Sequence, residues 1–405
     1  MCVKVACVGG GPAGLYLSIL LKRQNPSYDI TVHERGPEGS AYGWGVTYWR
    51  SLLDELHARD PESARALEGA SVRWSQGVAR VRGMTARQPG DVGHGIGRHR
   101  LLEILADRAR SLGVHLEFER EISADDPPEA DLLVAADGVH SALRARHAEH
   151  FGTDLTTGRN PYLWLGTTRV LDSFTFAFVE TDHGWIWCYG YPHSAERSTC
   201  VIECGPRTWT GLGLDRAEET DGLRRLERLF AHVLDGHPLI ARAPAGGPAR
   251  WQTFRTLTNR AWYRGNLVLL GDAAHTTHYS IGAGTTLALE DAFALADALR
   301  ECADLPRALA RYERERKAAL LAPQSAARHS AQWYESLTRY IHLPPEQMFA
   351  LLGQRHSPLL PYVPPQLYYR LDRAAGRLEA LRRLKRWLGP RLARTAHTRA
   401  SATRA

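Results

Sequence analysis

The sequence predicts an α/β protein in which a parallel, helix-flanked unit is interleaved with an antiparallel sheet and followed by a helical region. Three observations carry this. Short β-branched or apolar runs that end in Gly or Asp recur at residues 3–8, 131–137 and 266–272, which is how buried parallel strands read. Residues 160–210 alternate at period two and are rich in aromatics, as an antiparallel sheet requires. Beyond them, Leu367, Leu371, Ala374, Leu378, Leu381, Leu388 and Leu392 return at helical spacing. The expected division is 1–158 with 255–330 for the first unit, 159–254 for the antiparallel sheet, and 331–405 for the helices with a basic tail.

The 405 residues are 44% hydrophobic and 23% charged, with 36 Gly and 22 Pro. That balance excludes disorder and collagen-like repetition. No run reaches the roughly 20 apolar residues of a membrane helix. Net charge is +7, yet residues 366–405 hold 11 Lys+Arg against Asp372 and Glu379, a net +9 that leaves −2 for the other 365 residues. Basicity belongs to the tail, so nucleic-acid binding by the body is not implied. The tail reads as an amphipathic helix with a solvated basic face; contact with a phosphate-bearing ligand, an acidic carrier protein or an anionic membrane surface is the alternative. Six cysteines (Cys2, Cys7, Cys188, Cys200, Cys204, Cys302) form no CxxC pair and read as reduced thiols of a cytoplasmic protein. The first residues read as a strand and not as a leader. No metal-ligand constellation is seen.

Taken in order, Val3 to Val8 is a strand, Gly9-Gly10-Gly11-Pro12-Ala13-Gly14 follows, and an apolar helical run extends from Leu15 to Leu21. Strand, GxGxxG and helix in that order form a dinucleotide cradle. Gly9 permits the tight turn, Gly11 lets backbone approach a pyrophosphate, Gly14 lets helix and strand pack, and the helix start faces the negative charge. A second strand, Asp29 to His33, ends at Glu34, with Arg35 beside it, where a ribose-binding carboxylate is expected. The cradle alone does not separate FAD from a nicotinamide cofactor.

Two further motifs make that distinction by resemblance. The segment Asp131-Leu132-Leu133-Val134-Ala135-Ala136-Asp137-Gly138, continuing to Arg144, resembles the DG motif of flavoprotein aromatic hydroxylases. Asn266 to His275, containing Gly271-Asp272, resembles their GD motif, whose Asp accepts hydrogen bonds from the flavin's ribityl hydroxyls. Gly282, Gly284 and Thr285 then open a helix whose N–H groups would meet the flavin's pyrimidine edge. Arg98, at another helix start, matches the arginine such enzymes place near the FAD phosphates. His275 on the GD turn reads as structural.

The resemblance is therefore to the single-component FAD-dependent aromatic hydroxylases, over residues 1 to about 355. It implies the para-hydroxybenzoate hydroxylase-like fold. It also implies reduction of FAD by NADH or NADPH without a second dinucleotide fold, and a flavin hydroperoxide, formed with O2, that hydroxylates an activated ring. Tyr42-Gly43-Trp44-Gly45-Val46, residues 158–168, His278-Tyr279-Ser280-Ile281-Gly282 and residues 333–347 resemble one branch. That branch includes salicylyl-CoA 5-hydroxylases, aminobenzoyl-CoA monooxygenases and violacein-type tryptophan hydroxylases. Residues 356–365 depart from the acyl-CoA members in lacking their arginine-containing segment.

The resemblance implies a small aromatic substrate, either a CoA or carrier-protein thioester or a tryptophan- or indole-derived intermediate, handled by a monomer or homodimer. Trp44 and Val46 would lie close to the isoalloxazine, with Trp44 also a substrate-pocket residue. Trp187 and Tyr189 either line the substrate pocket or fill a core. His278, with Tyr48 behind it, is the candidate to accept or relay a phenolic proton. Intact glycine, DG and GD motifs argue against a non-catalytic flavin-binding module. Four lysines (Lys4, Lys22, Lys317, Lys385), none at a tunnel position, argue against a halogenase.

Overall fold

The computed structural model describes residues 3–40, 43–242 and 249–377. A six-stranded sheet runs in the order Tyr263–Arg264, Leu267–Leu269, Leu132–Ala135, Lys4–Val8, Asp29–His33, His115–Glu117. Its pairs are parallel except the first, which is antiparallel. The apolar runs around Cys7, Val134 and Val268 are fully buried because helices cover the sheet. Helix Pro12–Gln24 packs between the strands and helix Gly284–Glu301, and its Pro12 sits at a first-turn position where no N–H is required.

The second sheet has nine strands and is antiparallel apart from one pair, in which Val72–Val81 lies parallel to Phe174–Thr181. Ser198–Cys204, Gly184–Pro192 and Phe174–Thr181 alternate side chains between two faces, as the period-two pattern predicts. One face packs Phe176, Phe178, Trp187 and Tyr189 against Trp333, Tyr334 and Phe349. The other packs Leu163, Leu165, Cys188 and Cys200 against the helices of 206–234. Strands Gly45–Trp49, Val72–Val81 and Met84–Gly97 also belong to this sheet, so the span 159–254 does not contain all of it.

The long helix Leu305–Glu335 begins at Asp304, whose side chain accepts from the Arg307 N–H, and continues through Pro323. Helices Pro345–Gly353 and Pro365–Arg377 follow it. The basic stretch past Arg377, with its continuing leucine pattern, lies outside the described residues. Among the described residues no helix is long and apolar enough to cross a membrane.

Candidate active site

One cavity of about 1430 Å³ runs between the two sheets, from the glycine turn to the aromatic face of the second sheet. This exceeds the roughly 300–1,000 Å³ of a drug-sized pocket and has room for a large cofactor and a second ligand.

The glycine end is built by close packing. Gly9 has φ +116°, and a Cβ there would lie 2.2 Å from the Ala136 carbonyl oxygen. A Cβ on Gly14 would lie 2.2 Å from the Gly9 oxygen and 2.8 Å from Cys7 Sγ, so helix and strand touch at this point. Gly11 is different: nothing lies within 4 Å of its Cβ position, and it faces the cavity. The helix behind it has no side-chain cap, leaving first-turn N–H groups as anion donors. Glu34 accepts from the Gly10 and Gly36 N–H groups at 2.8 Å each, which fixes its carboxylate at the cavity edge with acceptor capacity to spare.

Two bolts hold the Asp-Gly and Gly-Asp turns. The buried Arg144 donates to the carbonyls of Val139 (2.6 Å) and Ala273 (3.0 Å), tying one turn to the other. Asp291 receives His275 Nε2 at 2.8 Å, Arg316 Nε at 2.7 Å and the Gly271 N–H at 3.2 Å. Asp137 Oδ2 accepts from the Ala142 N–H at 2.9 Å, while its buried Oδ1 has no partner. Burial raises the pKa of Asp137 despite hydrogen bonds that favour the anion. Asp272 lines the cavity; burial raises its pKa, and the nearby Arg98 charge opposes this. Gly282 (φ +64°) turns the chain into helix Gly284–Glu301, which likewise lacks a side-chain cap.

These features fit a dinucleotide with a flavin. An uncapped helix start and an open Gly11 suit a pyrophosphate, and the unpartnered Asp137 oxygen with cavity-facing Asp272 suits hydroxyl donors.

At the other end the wall is aromatic: Tyr162, Trp164, Phe174, Phe176, Tyr189 and Tyr191 line it from the second sheet. Tyr279, Tyr334 and Arg355 complete it. Arg355 donates to Ser280 O (2.8 Å), Leu352 O (2.9 Å) and Ser330 Oγ (3.1 Å), and lies 5.9 Å from the Phe176 ring centroid. Behind Tyr279, the 1% exposed Glu203 accepts from the Tyr279 hydroxyl at 2.7 Å and from Asn160 Nδ2 at 2.8 Å.

The family model for an FAD binding domain matches residues 2–322. The chain belongs to the FAD-dependent aromatic monooxygenases. It is 38% identical over 351 residues to the salicyloyl-CoA 5-hydroxylase of Streptomyces sp, a match covering 84% of this chain and 66% of that enzyme's length. It is 34% identical to 3-hydroxy-4-methyl-anthranilyl-[aryl-carrier protein] 5-monooxygenase of Streptosporangium sibiricum, covering 87% and 94%. The protodeoxyviolaceinate monooxygenase of Chromobacterium violaceum is 29% identical, covering 89% and 96%. The tetrameric form of 2-methyl-3-hydroxypyridine-5-carboxylic acid oxygenase superposes with TM-score 0.67 over 85% of this chain and 95% of that one, at 21% identity, and so shares the fold.

In this monooxygenase Gly9, Gly11, Pro12, Ala13, Glu34, Arg35, Val46, Arg98, Asp137, Asp272, Gly282, Gly284, Thr285 and Tyr189 line the cavity. Gly14 packs beneath the wall and Gly271 turns beside Ala13. Four other expected residues do not reach it. Trp44 packs under Gly166, and its carbonyl, not its ring, serves the site by accepting the Arg98 N–H at 2.7 Å. Trp187 stacks on Tyr334 at 5.7 Å within the core. Tyr48 turns its hydroxyl to Ser71 (2.6 Å) and stacks on His94. His278 bonds Ser280 Oγ through Nδ1 and stacks behind Tyr279 at 4.3 Å. Burial lowers the His278 pKa to about 4, so it is a neutral ring there. Sequence reasoning passed over Tyr279, Glu203 and Arg355. Tyr279 was within reach, because it adjoins His278 in the same motif; Arg355 carries no local signal.

Proposed function

We propose that this monooxygenase hydroxylates an electron-rich aromatic ring carried as a thioester, in the manner named for salicyloyl-CoA 5-hydroxylase, with NADH or NADPH as reductant. The observation that carries the reading is a single cavity joining a dinucleotide cradle to an aromatic wall with a cation, Arg355, at its edge. When bound, FAD supplies hydride acceptance and oxygen activation. Gly9, Gly11, Pro12 and Ala13 would hold its pyrophosphate end, with Gly14 packed beneath them and Glu34 and Arg35 beside the ribose. Arg98, Asp137, Gly271 and Asp272 would hold its middle, and Val46, Gly282, Gly284 and Thr285 its ring end. The aromatic wall excludes water and orients the substrate ring.

The deciding experiment is NADH and NADPH oxidation by the yellow protein with salicyloyl-CoA, free salicylate or tryptophan, with products weighed by mass spectrometry. Stimulation by the thioester with gain of one oxygen atom supports the reading. Stimulation by an indole alone moves the substrate to the class named for the violaceinate relative. A carrier-protein thioester is the second reading, favoured by the 94% coverage of the anthranilyl-carrier enzyme.

A further inference from the structure

Glu203 is a buried carboxyl group held by two neutral side chains. It sits on strand Ser198–Cys204, opposite Trp187 and Tyr162 in the ladder, and both partners that hydrogen-bond to it, Asn160 and Tyr279, are neutral. A buried carboxylate without a cation is costly, so such a group is retained against its own desolvation. Its partner Tyr279 lines the cavity, so the hydroxyl that touches Glu203 belongs to a ring on the cavity wall. Tyr189 lies beside it, ring centroids 6.0 Å apart; its buried hydroxyl is near Tyr279 but meets no partner at hydrogen-bond geometry.

We propose that Tyr279 and Glu203 form a proton-holding pair that takes the proton of an acidic ring hydroxyl on the aromatic substrate. The substrate O–H bond breaks as its proton passes to the Tyr279 oxygen, and the proton Tyr279 carried forms an O–H bond on Glu203 Oε2. The substrate is left as phenolate and Glu203 as carboxylic acid; no electrons are exchanged, and the proton returns to product or solvent. Phenolate is the more nucleophilic form of the ring, the form that an electrophilic oxygen attacks. Tyr279 touches the substrate in this scheme, whereas Glu203 acts through it.

Geometry and charge agree. Burial pushes the Glu203 carboxyl up to about 7, against the pull of Asn160 and Tyr279, and the Glu335 charge adds to the rise. Tyr189, Tyr279 and Tyr334 all have pKa values raised first by burial and further by the Glu203 charge. Arg355 favours the anionic form of Tyr334. A carboxyl poised near neutrality, joined by one hydroxyl to the cavity, can both accept and release a proton.

This deepens the proposed function and rests on it only for the phenolic class of substrate. The test uses FAD-loaded protein without NAD(P)H and 4-nitrophenol as probe, reading bound phenol and phenolate by difference absorption across pH. Wild type is expected to bind the phenolate preferentially. Glu203→Gln and Tyr279→Phe are each expected to lower the bound phenolate-to-phenol ratio at least tenfold at fixed pH, and Glu203→Asp to recover part of it. Retained yellow colour shows that a variant folds, and either of the first two decides alone if the other does not. A probe that fails to bind, binds wild type as neutral phenol, or ionises equally in wild type and both variants overturns the pair. If salicyloyl-CoA yields no product while the probe still ionises through Glu203, the thioester reading fails and the pair stands; the reverse outcome removes only the pair.

Discussion

Nε2 of His275 lies 2.8 Å from Oδ2 of the fully buried Asp291, which on its other oxygen holds Arg316. One carboxylate thereby clamps the Gly-Asp turn to both long helices. Burial alone would raise the pKa of Asp291, but the charges and hydrogen bonds of His275 and Arg316 hold it below the usual carboxylate range. Removing the charge with Asp291→Asn takes from the buried Arg316 its fully buried ionic partner and leaves it the half-exposed Glu290, at a cost of about 1–3 kcal/mol. Urea denaturation should show that loss, and the purified variant should carry little flavin.

Two glycines separate folding from ligand binding. Gly9→Ala is strained by its φ of +116° and by the Ala136 carbonyl, and is expected to lower stability by more than 1 kcal/mol. Gly11→Ala meets no protein atom within 4 Å, so stability without cofactor should change by less than about 0.5 kcal/mol while FAD affinity falls. Equal FAD affinity in Gly11→Ala and wild type would remove the pyrophosphate from this turn.

Asp272 faces the cavity, so Asp272→Ala should fold yet purify colourless or weakly flavinated. Arg144→Met should differ. It takes a donor from the Val139 carbonyl and leaves Ala273 O only its bond from Asn259, so flavin content and thermal stability should fall in the same variant.

Stability against pH carries a signature of Glu203. Its folded pKa of about 7 lies above the unfolded value near 4.5, so the folded state holds the extra proton between the two, and stability falls as pH rises through that window. His193 and His278, lowered to about 4 by burial, act oppositely: they cost stability as pH falls from 6.5 toward 4. These trends offset in wild type, so the difference is diagnostic. Glu203→Gln should gain melting temperature relative to wild type at pH 8 compared with pH 5, by calorimetry; a constant gap would place the Glu203 pKa near its ordinary value.

The parallel sheet and the cradle were legible because their constraints are local. A glycine forced to positive φ, a strand that must be apolar on both faces and an Asp at a strand end each leave a mark within a few residues. The aromatic end was legible only as a sheet. Trp187 and Tyr189 share one face of their strand, and which of them reaches the cavity depends on what covers that face: Tyr334, contributed from a helix about 150 positions later, stacks on Trp187. His278 carried the resemblance, but its neighbour Tyr279 reaches the wall, since the turn Tyr279–Ile281 points the histidine back onto Ser280. The Glu203 carboxyl was hidden in a run that reads as ordinary alternation.

The parallel pairing of Val72–Val81 with Phe174–Thr181 sets a rule for recombining this chain with its relatives. The two strands share five register pairs and are separated by the whole of helix Arg98–Ser111 and strand Leu132–Ala135. A crossover anywhere from 98 to 152 would seat one parent's hairpin against the other parent's aromatic wall. Chimeras that inherit 45–97 and 153–204 from the same parent keep that seam intact, and substrate preference should travel with the two blocks together.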